Sequence, residues 1–206
     1  MSEQIDAYVW TTPNGYKLLV ALEELGLPYQ AHWIDISKGD QLKPEFLAIN
    51  PNNKIPALVD PATGTTVFES GAILLYLADK TGKFLPKAGP ERYAALSWVF
   101  FNIGNTGPML GQLGFFAKRA PEKIPLAIDR YTEEAQRLFR VLDHRLAEST
   151  YLAGEDYTIA DMINVTWILA ARDFLAMDLT AYPHMSRWLT AVESRPAVAK
   201  ALAMKP

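Results

Sequence analysis

The chain of 206 residues contains no cysteine. That absence excludes a disulfide framework, a zinc–thiolate site and a Cys-x-x-Cys redox pair together. Any thiol chemistry done here must use a sulfur brought in by a ligand. Basic residues are not in excess: 20 Lys and Arg stand against 23 Asp and Glu, a formal net charge of -3. Nothing in that balance steers the chain onto nucleic acid or anionic lipid. No stretch approaches the ~18 consecutive apolar residues of a membrane span. The opening Met1-Ser2-Glu3-Gln4-Ile5-Asp6 is acidic and lacks an apolar run, unlike a secretory signal. His32, His144 and His184 are isolated and show no metal-ligand spacing. The expectation is a cytoplasmic protein with no nucleic-acid, membrane or metal partner.

What is present begins with alternation. Ile5, Ala7 and Val9 alternate with Asp6, Tyr8 and Trp10, a period of two that predicts a strand. Thr12-Pro13-Asn14-Gly15 interrupts it. Leu18, Leu22 and Leu25 then recur at helical spacing until Gly26. Tyr29–Ile34 reads as a second strand, Pro44–Leu47 as a helical turn, and Ala57–Val59 and Thr66–Phe68 as a hairpin. Ser70–Asp79 reads as a helix. The order βαβαββα implies a parallel first crossover and an antiparallel last pair. We place this α/β domain at residues 1–81 and a Gly- and Pro-containing linker at residues 82–90.

Residues 91–206 are helical in period throughout. Leu96, Val99, Phe100, Ile103 and Leu110 are predicted to share one apolar face. Further stripes run through Tyr131, Ala135, Leu138, Leu142 and Leu146, through Ala160, Ile163, Trp167, Ala170 and Phe174, and through Met185, Trp188, Leu189 and Val192. The aromatic cluster Trp98, Phe100, Phe101, Phe115 and Phe116 is expected to be mostly core. Gly104, Gly107 and Pro108 predict a kink or a close helix approach. Thr158-Ile159-Ala160-Asp161 predicts a capping box, with Tyr157 and Met162 as its staple. The second domain is thus expected to be all-α.

Chemistry is concentrated in the first domain. Pro56 at a strand entry cannot donate to a ladder, so it belongs at an edge. Were Ile55–Pro56 cis, the Ile55 backbone would be turned out to pair with an extended ligand. Base rates alone favour trans. Glu69-Ser70 opens a helix; the helix start and hydroxyl suit a carboxylate, and Glu69 an ammonium. A plain cap fits equally well. Gln41 and Lys54 are candidates for a second carboxylate. Thr12 reads as an N-cap with Pro13 at the first helical position. A thiolate over that helix end would be stabilised by Thr12, Asn14 and the dipole.

Taken together, these residues resemble the cytosolic glutathione transferases, a thioredoxin-like domain joined to an all-helical one. The resemblance is nearest the bacterial nu class and the yeast nitrogen-regulator-like group. It rests on Thr12-Pro13-Asn14-Gly15, Asn50–Ala57 and Phe68–Leu77, with Gly107–Gln112, Ile128–Tyr131 and the Thr158–Asp161 box in the helical domain. It implies a cis Ile55–Pro56 bond and a glutathione site. By it Glu69 and Ser70 hold the γ-glutamyl head, Ile55 the cysteinyl backbone, and Gln41 and Lys54 the glycyl end. Arg130 points into the cleft, and Thr12 and Asn14 serve the sulfur. The implied activity is glutathione-dependent disulfide reduction by a homodimer, with two glutathiones or one glutathione disulfide per site. Conjugation to electrophiles or hydroperoxide reduction is one alternative, and a non-catalytic regulatory protein is another. Tyr8 is the rival catalytic residue, because Tyr-type relatives keep a phenol near the end of the first strand.

Overall fold

In the computed structural model, which describes residues 4–206, the alternation at the start becomes β1 (Ile5–Val9), with Ile5, Ala7 and Val9 buried. Met1-Ser2-Glu3, part of the segment read above as unlike a signal, lies outside the described residues. Next comes α1 (Pro13–Leu25). The Thr12 hydroxyl accepts from the Gly15 N–H at 3.2 Å, and Gly26 ends the helix with a left-handed φ of 66°. Gly15 is obligatory for another reason: a Cβ there would lie 2.0 Å from the Trp10 carbonyl oxygen. The chain continues through β2 (Tyr29–Trp33), a 3-10 turn at Asp40–Leu42, α2 (Pro44–Leu47), β3 (Ala57–Asp60), β4 (Thr65–Phe68) and α3 (Ser70–Thr81). The sheet order is β2-β1-β3-β4. The β1–β2 pair is parallel and the β1–β3 and β3–β4 pairs are antiparallel, as the connections predict. Leu18, Leu19 and Leu22 of α1 and Ile73, Leu74 and Leu77 of α3 complete the core of this thioredoxin-like unit.

The second unit, Ala88–Glu193, is helical. It holds α4 (Pro90–Phe101), α5 (Gly107–Gly114), α6 (Pro125–Glu148), α7 (Ile159–Asp173) and α8 (Pro183–Glu193). The break expected around Gly104, Gly107 and Pro108 takes the form of a π-helical segment, Asn102–Thr106, leading into Gly107–Pro108. Pro108 has no N–H to donate, so a local change of helical register is expected there. Gly107 also lies against Trp167, where a Cβ would sit 3.1 Å from the indole nitrogen. Asn164 joins α7 to α4: its amide donates to the Trp98 and Ala160 carbonyls and accepts from Asn102. The capping box is formed. Thr158 accepts from the Ala160 N–H, and Asp161 accepts from Thr158 N–H, Leu152 N–H and the Trp188 indole.

Two expectations need correction. Phe100 is not core; it is 64% exposed, and Phe115 and Phe174 are exposed as well. A stripe at i, i+3 and i+4 marks an apolar face wider than the one a neighbour covers. The last helix, α9 (Pro196–Ala203), is grouped by periodicity with the helical part. In the structure Ser194–Pro206 belongs to the first unit, where α9 packs on α1. Arg195 clasps Glu24 through two bonds of 2.6 and 2.8 Å, Lys200 pairs with Glu23, and the Tyr16 hydroxyl donates to the Met204 carbonyl. Among the described residues, no helix is long and apolar enough to cross a membrane.

Candidate functional site

One row of the sheet sets the geometry. Tyr8 pairs with Ala57, and Ala57 pairs with Phe68. Because β3 is antiparallel to both neighbours, the chain leaves this row at one end of the sheet three times. After β1 it runs to Thr12. Before β3 it comes from Ile55–Pro56. After β4 it enters Glu69–Ser70. Since β2 is parallel to β1, with Val9 opposite Trp33, the loop carrying Gln41 leaves at the same end. The N-termini of α1 and α3 therefore both open here. Two such ends supply unpaired N–H groups and positive dipole ends, which favour an anionic ligand.

The Ile55–Pro56 bond is cis. The ladder begins at Ala57, so the Ile55 N–H and C=O stand outside its register. Asn50 braces this loop from below. Its buried amide donates to the Lys54 carbonyl at 2.6 Å, and its oxygen accepts from the Asn52 N–H. Lys54 itself is exposed. Glu69 is exposed, adopts φ 71° and ψ 119°, and makes no side-chain bond to its own helix end. A positive φ on a non-glycine residue carries ~1–3 kcal/mol of strain. The Glu69 carbonyl still accepts from the Ile73 N–H, so the helix start is kept. Ser70 next to it is buried.

Thr12 is a cap, as its position predicts. Capping uses an oxygen lone pair, and its O–H hydrogen remains available to a thiolate. Asn14 lies in the first turn of the same helix. Gln41 turns its amide toward the Ile36 carbonyl at 3.4 Å, and its oxygen is buried without a hydrogen-bond partner among the described residues. Arg130 belongs to the other unit, on α6, where it is 64% exposed and pairs with Glu134 at 3.6 Å. Tyr8 points to the other face of the sheet. It stacks on His32 with ring centres 4.7 Å apart and lines a cavity of about 410 Å³ beneath α2, together with Phe46, Asp40 and Lys43. None of the residues assigned above to glutathione lines that cavity. Burial, and then the charge of Asp6, raise the Tyr8 pKa, so its phenolate form is disfavoured.

Two residues of the site escape a reading of the sequence. Asn50 is one. The other is Lys17, whose side chain is drawn under the α3 N-terminus, with Nζ 3.5 Å from Ser70 Oγ. It is 1% exposed. Burial pulls its pKa down to about 7, against the opposing charge of Glu69.

Comparisons with known proteins give the family and the fold. Residues 12–80 match the glutathione S-transferase N-terminal domain, and residues 107–196 match the C-terminal domain. Disulfide-bond oxidoreductase YfcG of Escherichia coli is 50% identical over 204 residues, covering 96% of this chain and 94% of that protein. A Pseudomonas fluorescens glutathione transferase family member, solved with two glutathione bound, superposes with a TM-score of 0.91 at 42% identity, over 97% of this chain and 92% of that one. A Pseudomonas putida glutathione transferase, solved with one glutathione disulfide per subunit, gives a TM-score of 0.92 at 39% identity, over 99% and 93%. The chain belongs to the glutathione S-transferase family.

Proposed function

We propose that this protein is a glutathione-dependent disulfide-bond oxidoreductase that takes two glutathiones, or one glutathione disulfide, at each site. The observation that carries the proposal is the single sheet end where Thr12–Asn14, Ile55 and Glu69–Ser70 emerge beside two helix N-termini, in a chain with no cysteine. Glutathione supplies the sulfur chemistry: two thiols reduce one substrate disulfide and leave as glutathione disulfide. The protein binds and orients. Glu69 takes the γ-glutamyl ammonium, Ser70 its carboxylate, and the Ile55 backbone the cysteinyl peptide. Lys54, with Gln41 once its amide is released from Ile36, takes the glycyl carboxylate. Thr12 and Asn14 donate to the thiolate and hold its pKa down together with the α1 dipole. Arg130 adds positive charge for a second glutathione.

The proposal includes a homodimer acting in the cytoplasm, where glutathione keeps thiols reduced. A second copy would cover the face of α4 that turns Tyr93, Ser97 and Phe100 to solvent, and sedimentation velocity reads its mass. The test of activity is purified protein with glutathione against a small disulfide, a chlorinated aromatic and a hydroperoxide in parallel. Disulfide turnover should dominate. Thr12→Ala and Asn14→Ala should each lower that rate at least ~10-fold, the equivalent of about 1.4 kcal/mol of lost thiolate stabilisation, while Tyr8→Phe leaves it near wild type. A collapse confined to Tyr8→Phe would make the protein a Tyr-type transferase. No turnover of any of the three substrates would favour a regulatory binding protein.

A further inference from the structure

Lys17 is a charged group placed where a helix normally puts a leucine. It follows Asn14 by three residues on α1 and reaches across to Ser70 on α3. It therefore ties the sulfur end of the site to the head-group end. Its protonation state decides what Ser70 can do. An ammonium has three hydrogens and no lone pair, so the Ser70 oxygen must accept from it. The hydroxyl hydrogen then points away from Lys17. A neutral amine has a lone pair that competes for that same hydrogen.

We propose that Lys17 is a positioning residue for the γ-glutamyl carboxylate, its ammonium turning the Ser70 hydroxyl toward the ligand and the ligand in turn holding Lys17 charged. This rests on reading the sheet end as a glutathione site. The groups facing Lys17 allow it. From α3 these are Glu69 and Ser70. The β1 side chains on the buried face are Ile5, Ala7 and Val9. The α9 charges, Arg195 and Lys200, are held by Glu24 and Glu23 near the far end of α1. The free protein starts with Lys17 close to half charged near neutrality. A carboxylate received by buried Ser70 lies nearer to it than an ammonium received by exposed Glu69, and burial weakens screening of the first more than of the second. Binding therefore raises the Lys17 pKa and draws in a proton. Affinity is therefore highest below about pH 7, where Lys17 is already charged, falls by up to about tenfold per pH unit between there and the raised value, and levels off beyond it.

The test is calorimetric titration with S-methylglutathione, whose blocked sulfur has no proton to release. Runs in two buffers of different ionisation enthalpy count protons taken up between about pH 7 and about pH 8.5. Wild type should take up a sizeable fraction of one proton per ligand, and Lys17→Met should lose that fraction and flatten the pH profile. Subtracting the variant removes the contribution of the ligand's own ammonium. No proton uptake by wild type, or equal uptake by folded Lys17→Met, overturns the inference. Should Lys17→Met fail to fold, carbon NMR of lysine Cε in wild type gives the answer. One lysine titrating near neutrality and shifting upward with S-methylglutathione supports the inference; a lysine unmoved by ligand overturns it. Wild type that binds no S-methylglutathione sinks the glutathione site, and the inference with it.

Discussion

Ser70 and Glu69 are neighbours with opposite exposures, and that contrast makes the head-group assignment testable. Ser70→Ala should weaken glutathione binding by about 1–3 kcal/mol, the worth of a hydrogen bond to a charged group. Glu69→Gly should weaken it too, yet raise stability. Glycine adopts the φ of 71° without strain, and release of ~1–3 kcal/mol outweighs the ~0.5–1 kcal/mol entropy penalty of glycine. Calorimetric titration and urea unfolding of both variants check the pair; a destabilised Glu69→Gly would show that the backbone there is not strained. The sequence made part of this legible. Thr12 before Pro13 is a cap by residue type, and Ser at a helix start has few roles. Lys17 was invisible, because a lysine in an amphipathic helix normally lies on the wet face. Only the packing of α1 on α3 reveals that its face is dry.

At the scale of elements, the β3–β4 hairpin is held to α3 by one buried carboxylate. Asp60 Oδ2 receives the Lys80 ammonium and the Tyr76 hydroxyl, each at 2.6 Å, and Oδ1 receives the Ala62 N–H. Burial pushes the Asp60 pKa up, but Lys80 and Tyr76 outweigh it and hold the group below its ordinary value. A depressed carboxylate adds stability above its unfolded pKa of ~3.9, and that stability is lost as pH falls through the folded value. Lys80→Ala should therefore cost about 3 kcal/mol at neutral pH, since a buried carboxylate loses its cation. It should also move acid unfolding to higher pH. Circular dichroism against pH reads both effects, and an unchanged acid midpoint would remove Lys80 from the account. This clasp joins residues twenty apart, beyond any local pattern. Local patterns did give the elements themselves: the alternation in β1, the Gly26 stop, and the Thr158–Asp161 box. They did not separate the covered face of α4 from the open one, so Phe100 was placed inside. They also gave no hint that Asp161 would engage Trp188.

At the scale of the whole molecule, the first unit is discontinuous in sequence. Its α1 is covered by α9, with Val198 and Ala201 buried and Arg195 joined to the nearly buried Glu24. Deleting Ser194–Pro206 should bare that face of α1 and strand Glu24, a combined loss on the order of 5 kcal/mol. The shortened protein should show an earlier urea transition. A synthetic Ser194–Pro206 peptide added in trans should restore part of it. Unshifted unfolding would mean that α9 contributes nothing to the first unit. Sequence period could not assign α9, because a short helix looks the same whichever neighbour it covers. The discontinuity also has a temporal side. On the ribosome the thioredoxin-like half is made first but cannot acquire its α9 cover until about a hundred residues of the helical unit, Ala88–Glu193, have followed. At ~5–20 residues per second that interval lasts roughly 5–20 s. For that time the nascent first half carries an uncovered apolar helix face, and the later-made half has every segment of its own core in hand before the earlier one is finished.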